Sequence, residues 1–175
     1  MMVQGGKGTR GQEVKGTKEW KGMAKHAGYT VEADAEKTAK SIGKELPISP
    51  KAAVEVCRAI RGMHVDKAKE LLEGVIARKK AIPYKRFLYQ IVHQKGGVGP
   101  GRFPKKAAKY ILYVVTDAEN NAEYKGFDTE GLKIMTASAS RGRTWHQRMP
   151  RAHGRWTQKD RNTVNIEIIL KKREE

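Results

Sequence analysis

One cysteine, Cys57, stands in 175 residues, which excludes an internal disulfide and any metal site built on several thiolates. Acidic residues are also scarce: nineteen Asp and Glu face thirty-six Lys and Arg, for a formal net charge of +17. No apolar run approaches the roughly eighteen residues of a membrane-spanning helix, and the opening MMVQGGKGTR lacks the apolar stretch of a secretory signal. Neither a membrane partner nor a secretory route is expected. Apolar residues make up 38% and aromatics 7%, with a mean hydropathy of −0.70, so the core should be modest. A length of 175 residues allows one domain with a real core and not two comfortable ones.

The excess of positive charge does nothing for folding, since it repels itself. A polyanionic partner accounts for it, and phosphate backbones are the commonest kind. Residues 1–28 are rich in Gly and Lys and show no regular apolar period, which predicts a basic tail that orders only on a partner. GGKGTRG within it is not a phosphate-binding loop, because the spacing is absent and Gly8 follows Lys7 where Ser or Thr is needed.

From residue 38 to residue 48 the apolar Ile42, Leu46 and Ile48 share one parity, which predicts a strand. Ser49-Pro50 then starts a helix, with a hydroxyl to cap free amides and a proline suited to the first position. Ala53, Val56, Cys57 and Ile60 form its buried face and Gly62 its stop. A second helix opens near Asp66 on the stripe Ala68, Leu71, Leu72, Val75 and Ile76. Pro104 starts a third, with Ala107, Ile111, Val114 and Ala118 inward and a stop at Gly126. Leu132, Ile134 and Thr136 mark a short strand, and Val164, Ile166, Ile168 and Leu170 alternate with Asn165 and Glu167 in a half-buried one.

Two segments carry the charge. Residues 78–109 hold ten basic residues and no acid: Arg78, Lys79, Lys80, Lys85, Arg86, Lys95, Arg102, Lys105, Lys106 and Lys109. GGVGPG (96–101) lies among them, its glycines allowing close approach of the backbone to another surface. Residues 140–161 hold Arg141, Arg143, Arg148, Arg151, Arg155, Lys159 and Arg161 against the single acid Asp160, with Trp145 and Trp156 as the aromatics. A connector of twenty-two residues is long for a compact domain, and loops of that length are functional or disordered. If the flanking strands pair and the connector continues them, each arm reaches roughly 35 Å at about 3.3 Å per residue. Fixing such an arm costs on the order of 1–2 kcal/mol per residue, which only outside contacts could offset. Arginine forks to phosphate and aromatic faces to bases are the contacts available. RNA is favoured over DNA because no groove-reading motif is present.

A charge run is more often a solvated face than a binding site. Two runs so nearly free of acid point the other way. Cys57 lies on an apolar helix face and reads as a small core residue. None of His26, His64, His93, His146 and His153 has a second ligand at metal spacing, so no metal or cofactor is expected, and His146 and His153 read as RNA contacts. Trp145 and Trp156 fit either buried anchors or stacking platforms. Asp117, Glu119 and Glu123 have ordinary helix-surface spacing, and no enzyme site emerges. The rival readings are an RNA-modifying enzyme, which would need clustered acid–base residues or a cofactor loop, and a free RNA chaperone without fixed stoichiometry.

Several segments resemble the twenty-second protein family of the large ribosomal subunit in its archaeal and eukaryotic form: YTVEADAEKTAKS (29–41), ISPKAA (48–53), IRGMHVDKA (60–68), GGVG with GRFPKKAAKY (96–110), NAEYKGFD (121–128) and RMPRAHGR (148–155). PRAHGR ahead of an alternating strand is the most specific of them. Residues 1–28 have no counterpart in that pattern. The resemblance implies an α/β (α+β) fold over residues 29–175, three helices packed on a small antiparallel sheet, with the hairpin 140–161 projecting from it. It implies a cytoplasmic, ribosome-bound structural protein and not an enzyme. Its expected partners are large-subunit ribosomal RNA, neighbouring large-subunit proteins and the nascent peptide, with no homo-oligomer. The hairpin tip, Arg148, Met149, Pro150 and Arg151, would line the peptide exit tunnel, with His153, Gly154 and Arg155 on the returning arm.

Overall fold

The computed structural model describes residues 29–172 apart from 32, 35 and 130, so the expected tail 1–28 lies outside the described residues. Strand β1 (Thr38–Leu46) leads into helices α1 (Pro50–Ile60) and α2 (Val65–Ile76). A lobe of very short strands follows: β2 (Ile82–Pro83), β3 (His93–Gln94) and β4 (Gly99–Arg102). Helix α3 (Lys105–Tyr124) returns the chain to the domain. Four strands close it: β5 (Lys133–Trp145), β6 (Arg148–Pro150), β7 (Trp156–Gln158) and β8 (Arg161–Lys171). The main sheet has the order β1-β8-β5 and is antiparallel throughout, with β8 in the centre. In the lobe, β4 pairs with β2 on one side and β3 on the other. The fold is α+β, three helices on a small antiparallel sheet.

The helices form where apolar spacing places a continuous face. Pro50 occupies the start of α1, and Ala53, Val56, Cys57 and Ile60 are all buried. The Ser49 hydroxyl makes no capping bond; its carbonyl accepts from Ala53 N at 2.9 Å, so the proline and the buried face set the start without the expected side-chain cap. Burial pushes the Cys57 thiol up to about 12, which fits a small core residue and not a nucleophile. Gly62 takes the left-handed conformation (φ 81°). Its N–H then donates to Ile134 O at 2.9 Å, which pins the link between α1 and α2 alongside β5. Helix α1 packs on β5 and β8, α3 on β1 and β8, and α2 on α3. Ile60, Leu72, Ile111, Leu132, Ile134, Ile166 and Ile168 meet between these layers with almost no exposure.

Three strand expectations need correction. In β1 the parity facing the helices belongs to Ala39 and Gly43, and Ile42 is only half-buried on the other face. An irregularity between Gly43 and Leu46, with Glu45 in the left-handed region (φ 52°), turns the strand so that Leu46 rejoins the core side. A second irregularity between Ile134 and Thr136 makes Ala137, not Thr136, the next core residue of β5. Strand β8 is not half-buried along 166–170, because Glu167 and Ile169 are buried as well. Tyr29, Thr30 and Ala33 lie against that second face. Thr30 N and Oγ1 donate to Glu167 Oε2 at 2.9 and 2.7 Å, Ser138 Oγ donates to the same oxygen at 3.3 Å, and Lys40 Nζ donates to Ala33 O at 2.6 Å. Desolvation and the Glu167 charge both raise the Tyr29 hydroxyl above its ordinary value.

Candidate nucleic-acid interface

Strands β5 and β8 continue past the core as a pair. Ser140 faces Asn165, Thr144 faces Asn162 and Trp145 faces Arg161. A short interruption follows at His146 and Gln147, bridged by Lys159 N donating to Gln147 O at 2.7 Å. Beyond it β6 and β7 resume the ladder, with Arg148 opposite Gln158 and Pro150 opposite Trp156. The chain turns at 151–155. There Arg151 N donates to Arg155 O at 2.8 Å, and His153 (φ 59°) and Gly154 (φ 66°) take the left-handed conformation a tight reversal needs. The apex thus falls later than the resemblance places it: Arg148, Met149 and Pro150 lie on the outgoing strand, while Arg151, Ala152, His153 and Gly154 form the turn.

Every residue from 145 to 162 is exposed, so the projection has no apolar face against the domain. It does have internal support that composition alone did not reveal. The Arg143 guanidinium lies over the Trp145 ring at 4.6 Å and that of Arg148 over Trp156 at 4.4 Å. The two tryptophans are 49% and 54% exposed, so neither is a buried anchor. Each ring is contacted by an arginine and remains open to solvent on part of its surface. Gln158 Nε2 donates to Asp160 Oδ2 at 2.7 Å, and His146 Nδ1 lies 3.0 Å from Asp160 Oδ1, so the only acid of the connector is held by its own arm. Arg141, Arg143, Arg148, Arg151, Arg155, Lys159 and Arg161 are all exposed to water.

The second basic segment is the lobe between α2 and α3. Lys79, Lys80, Lys85, Arg86, Lys95, Arg102, Lys105 and Lys106 are exposed. Lys79, Lys80 and Lys95 line one groove of the lobe beside His93 and Gly96, although Lys80 also pairs with Glu70 at 2.6 Å. Gly96, Gly97 and Gly99 all have positive φ, so the glycine run there serves tight reversals between β3 and β4. Lys105 and Lys106 open α3.

Sequence reasoning missed Glu55. It is buried on α1, and its carboxylate accepts from Arg86 N at 2.8 Å, Lys85 N at 3.3 Å and Arg58 Nη1 at 3.4 Å. A buried carboxylate with three donors is stable only if all three stay in place, so Glu55 fixes the backbone of the loop that presents Lys85 and Arg86. Among the described residues, no group of His, Cys and acids could hold a metal ion and no helix is long and apolar enough to cross a membrane.

The family model described as ribosomal protein L22p/L17e matches residues 41–171. The large ribosomal subunit protein uL22 of Methanothrix thermoacetophila is 52% identical over 134 residues, 75% of this chain and 88% of the relative. The uL22 proteins of Archaeoglobus fulgidus and Methanopyrus kandleri are each 46% identical, over 80% and 85% of this chain and 92% and 98% of their own lengths. The chain therefore belongs to the ribosomal protein L22p/L17e family, whose members are structural proteins and not enzymes.

Proposed function

We propose that this protein is a structural constituent of the large ribosomal subunit that binds large-subunit ribosomal RNA through its hairpin and its basic lobe. The α+β domain would rest at the particle's surface beside neighbouring large-subunit proteins. The hairpin would run inward between RNA segments, tying them together during assembly, with its tip at the wall of the nascent-peptide tunnel. Arg148, Met149, Pro150 and Arg151 would then stand near the passing peptide, together with the turn at His153 and Gly154.

The observation that carries this reading is the hairpin itself: residues 145–162 are wholly exposed, hold their one acid internally, and carry Arg148, Arg151, Arg155, Lys159 and Arg161 on a paired ladder and its turn. A compact basic domain could adhere to any polyanion. A long paired finger with charge along its length gains its full contact area only inside a cleft that surrounds it, and folded RNA provides phosphate-lined clefts of that kind. The ribosome-bound, cytoplasmic setting follows from the same reading.

Sedimentation of a lysate through a sucrose gradient after a high-salt wash tests it. The protein is expected to stay with the large subunit at about one copy per particle. Release to the top of the gradient would mean that its charge serves only surface adhesion, and would overturn the proposal.

A further inference from the structure

Beside the first turn of α1, the loop that follows β2 encloses a groove of about 600 Å³. Small-ligand sites are typically of roughly 300–1,000 Å³. Its wall is aromatic and basic: Tyr84, Phe87 and Tyr89 alternate with Lys51, Arg86 and Arg102, and no Asp or Glu is among the described residues lining it. Lys51 and Arg86 meet at one ring, their charged groups 5.7 and 5.6 Å from the centre of Phe87. Arg102 lines the same groove and donates to Gln90 O at 3.2 Å. Beneath the loop, Glu55 holds the Lys85 and Arg86 amides, so the wall is fixed from below.

Tyr89 is the unusual member. It is 87% exposed, so its ring does no packing for the fold. The turn that presents it closes by Ile91 N donating to Leu88 O at 3.2 Å and requires Gln90 at φ 54°, a conformation that non-glycine residues rarely adopt. A rare backbone conformation that turns a large aromatic ring into water fits a ring kept free for a ligand.

We infer that this groove, lined by Lys51, Arg86, Phe87, Tyr89 and Arg102, binds an unstacked nucleotide of single-stranded RNA, its base on the Tyr89 ring and its phosphate among the three cations. The inference rests on the RNA-binding reading above and adds to it a distinct subsite away from the hairpin. A peptide would need several acids placed by its particular sequence to meet three cations, whereas a single strand brings a phosphate on either side of every base. A nucleotide carries the anion and the flat apolar face together, as the groove's mixed wall requires.

The test uses the full chain and two labelled oligomers, an octaadenylate and a ribose-phosphate octamer without bases, followed by fluorescence anisotropy. Tyr89→Ala is expected to weaken octaadenylate binding by about tenfold, within the range for loss of one stacked base, and to leave the abasic oligomer unchanged. Tyr89→Phe keeps the ring and should bind as the unaltered protein does. Lys51→Ala should weaken both oligomers and reduce the salt dependence of both. If Tyr89→Ala binds octaadenylate as well as the unaltered chain, or weakens both oligomers equally, the groove is not a nucleotide site, while RNA binding by the rest of the molecule stands. If the unaltered chain binds neither oligomer, the groove is not a nucleotide site, while the wider reading is decided separately by the sedimentation experiment.

Discussion

The hairpin that β5 and β8 begin, and β6 and β7 extend, has two regions of opposite character. Within the domain, Val164, Ile166, Ile168 and Leu170 are fully buried against helices, and on the other face Glu167 is buried beneath Thr30. From Trp145 opposite Arg161 outward, and on β6 and β7 beyond the break at His146 and Gln147, every residue is exposed. The change occurs at Gly142, where the register shifts and a Cβ would stand 2.6 Å from Thr163 Oγ1. That hydroxyl donates to Arg143 O at 2.7 Å, so the glycine leaves room for the bond that closes the hairpin's root. Backbone hydrogen bonding is common to both halves, and each such bond adds only about 1 kcal/mol net. The difference therefore lies in the side chains: one half is stabilised by removing apolar area from water, and the other keeps its charge free for a partner.

The comparison breaks most readily in the core. Ile166 is fully buried at the centre of the central strand, so Ile166→Ala should cost about 2–5 kcal/mol through the apolar area no longer buried and a cavity bounded on every side. Urea unfolding reads this as a lower midpoint. A change under about 0.5 kcal/mol, the usual limit for surface sites, would mean that the sheet is not the unit that holds the domain together.

A smaller effect is expected where β1 meets α3. A Cβ on Gly43 would lie 2.7 Å from Val114 Cγ2 and 2.9 Å from Leu46 Cδ1. Both neighbours are side chains held in a packed layer, so Gly43→Ala should cost about 1–3 kcal/mol by overpacking, read as a drop in Tm. The same substitution at a glycine with open space around it would not discriminate, and a neutral result at Gly43 would show that the Val114 and Leu46 side chains give way at little cost.

The helices were legible in the sequence because apolar spacing reports a buried face directly: the faces of α1, α2 and α3 fall on Ala53 to Ile60, Ala68 to Val75 and Ala107 to Ala118 as the periodicity requires. The strands were less legible for a specific reason. Alternation assumes an unbroken pleat, and the irregularities after Gly43 and Ile134 shift parity without any residue type that announces them. The burial of Glu167 was hidden because the segment that covers it lies 137 residues away in sequence. The basic clusters were visible as composition, and all their residues are exposed. The groove was not, because Lys51 reaches Phe87 only through the packing of α1 against the lobe, although KRFLY (85–89) shows cations beside aromatics.

The smallest effect on stability belongs to the hairpin turn, and it sharpens the comparison most. Arg151→Ala with Arg155→Ala removes two exposed guanidinium groups and one side-chain bond, Arg151 Nε to Thr157 Oγ1 at 3.1 Å. The turn's own closure, Arg151 N to Arg155 O, is a backbone bond that alanine keeps, as are the left-handed His153 and Gly154. Unfolding should therefore shift by no more than about 0.5 kcal/mol. RNA binding should respond quite differently. Removing one phosphate-neutralising cation lowers the log–log salt slope by roughly 0.7–0.9, so the double variant should bind ribosomal RNA with a visibly flatter salt dependence and enter large subunits more slowly. A variant that is folded and yet assembles at the normal rate, with an unaltered salt slope, would show that these arginines do not meet RNA. A variant that unfolds would show that the turn is part of the core's stability, and the division between a half that folds and a half that binds would have to be abandoned.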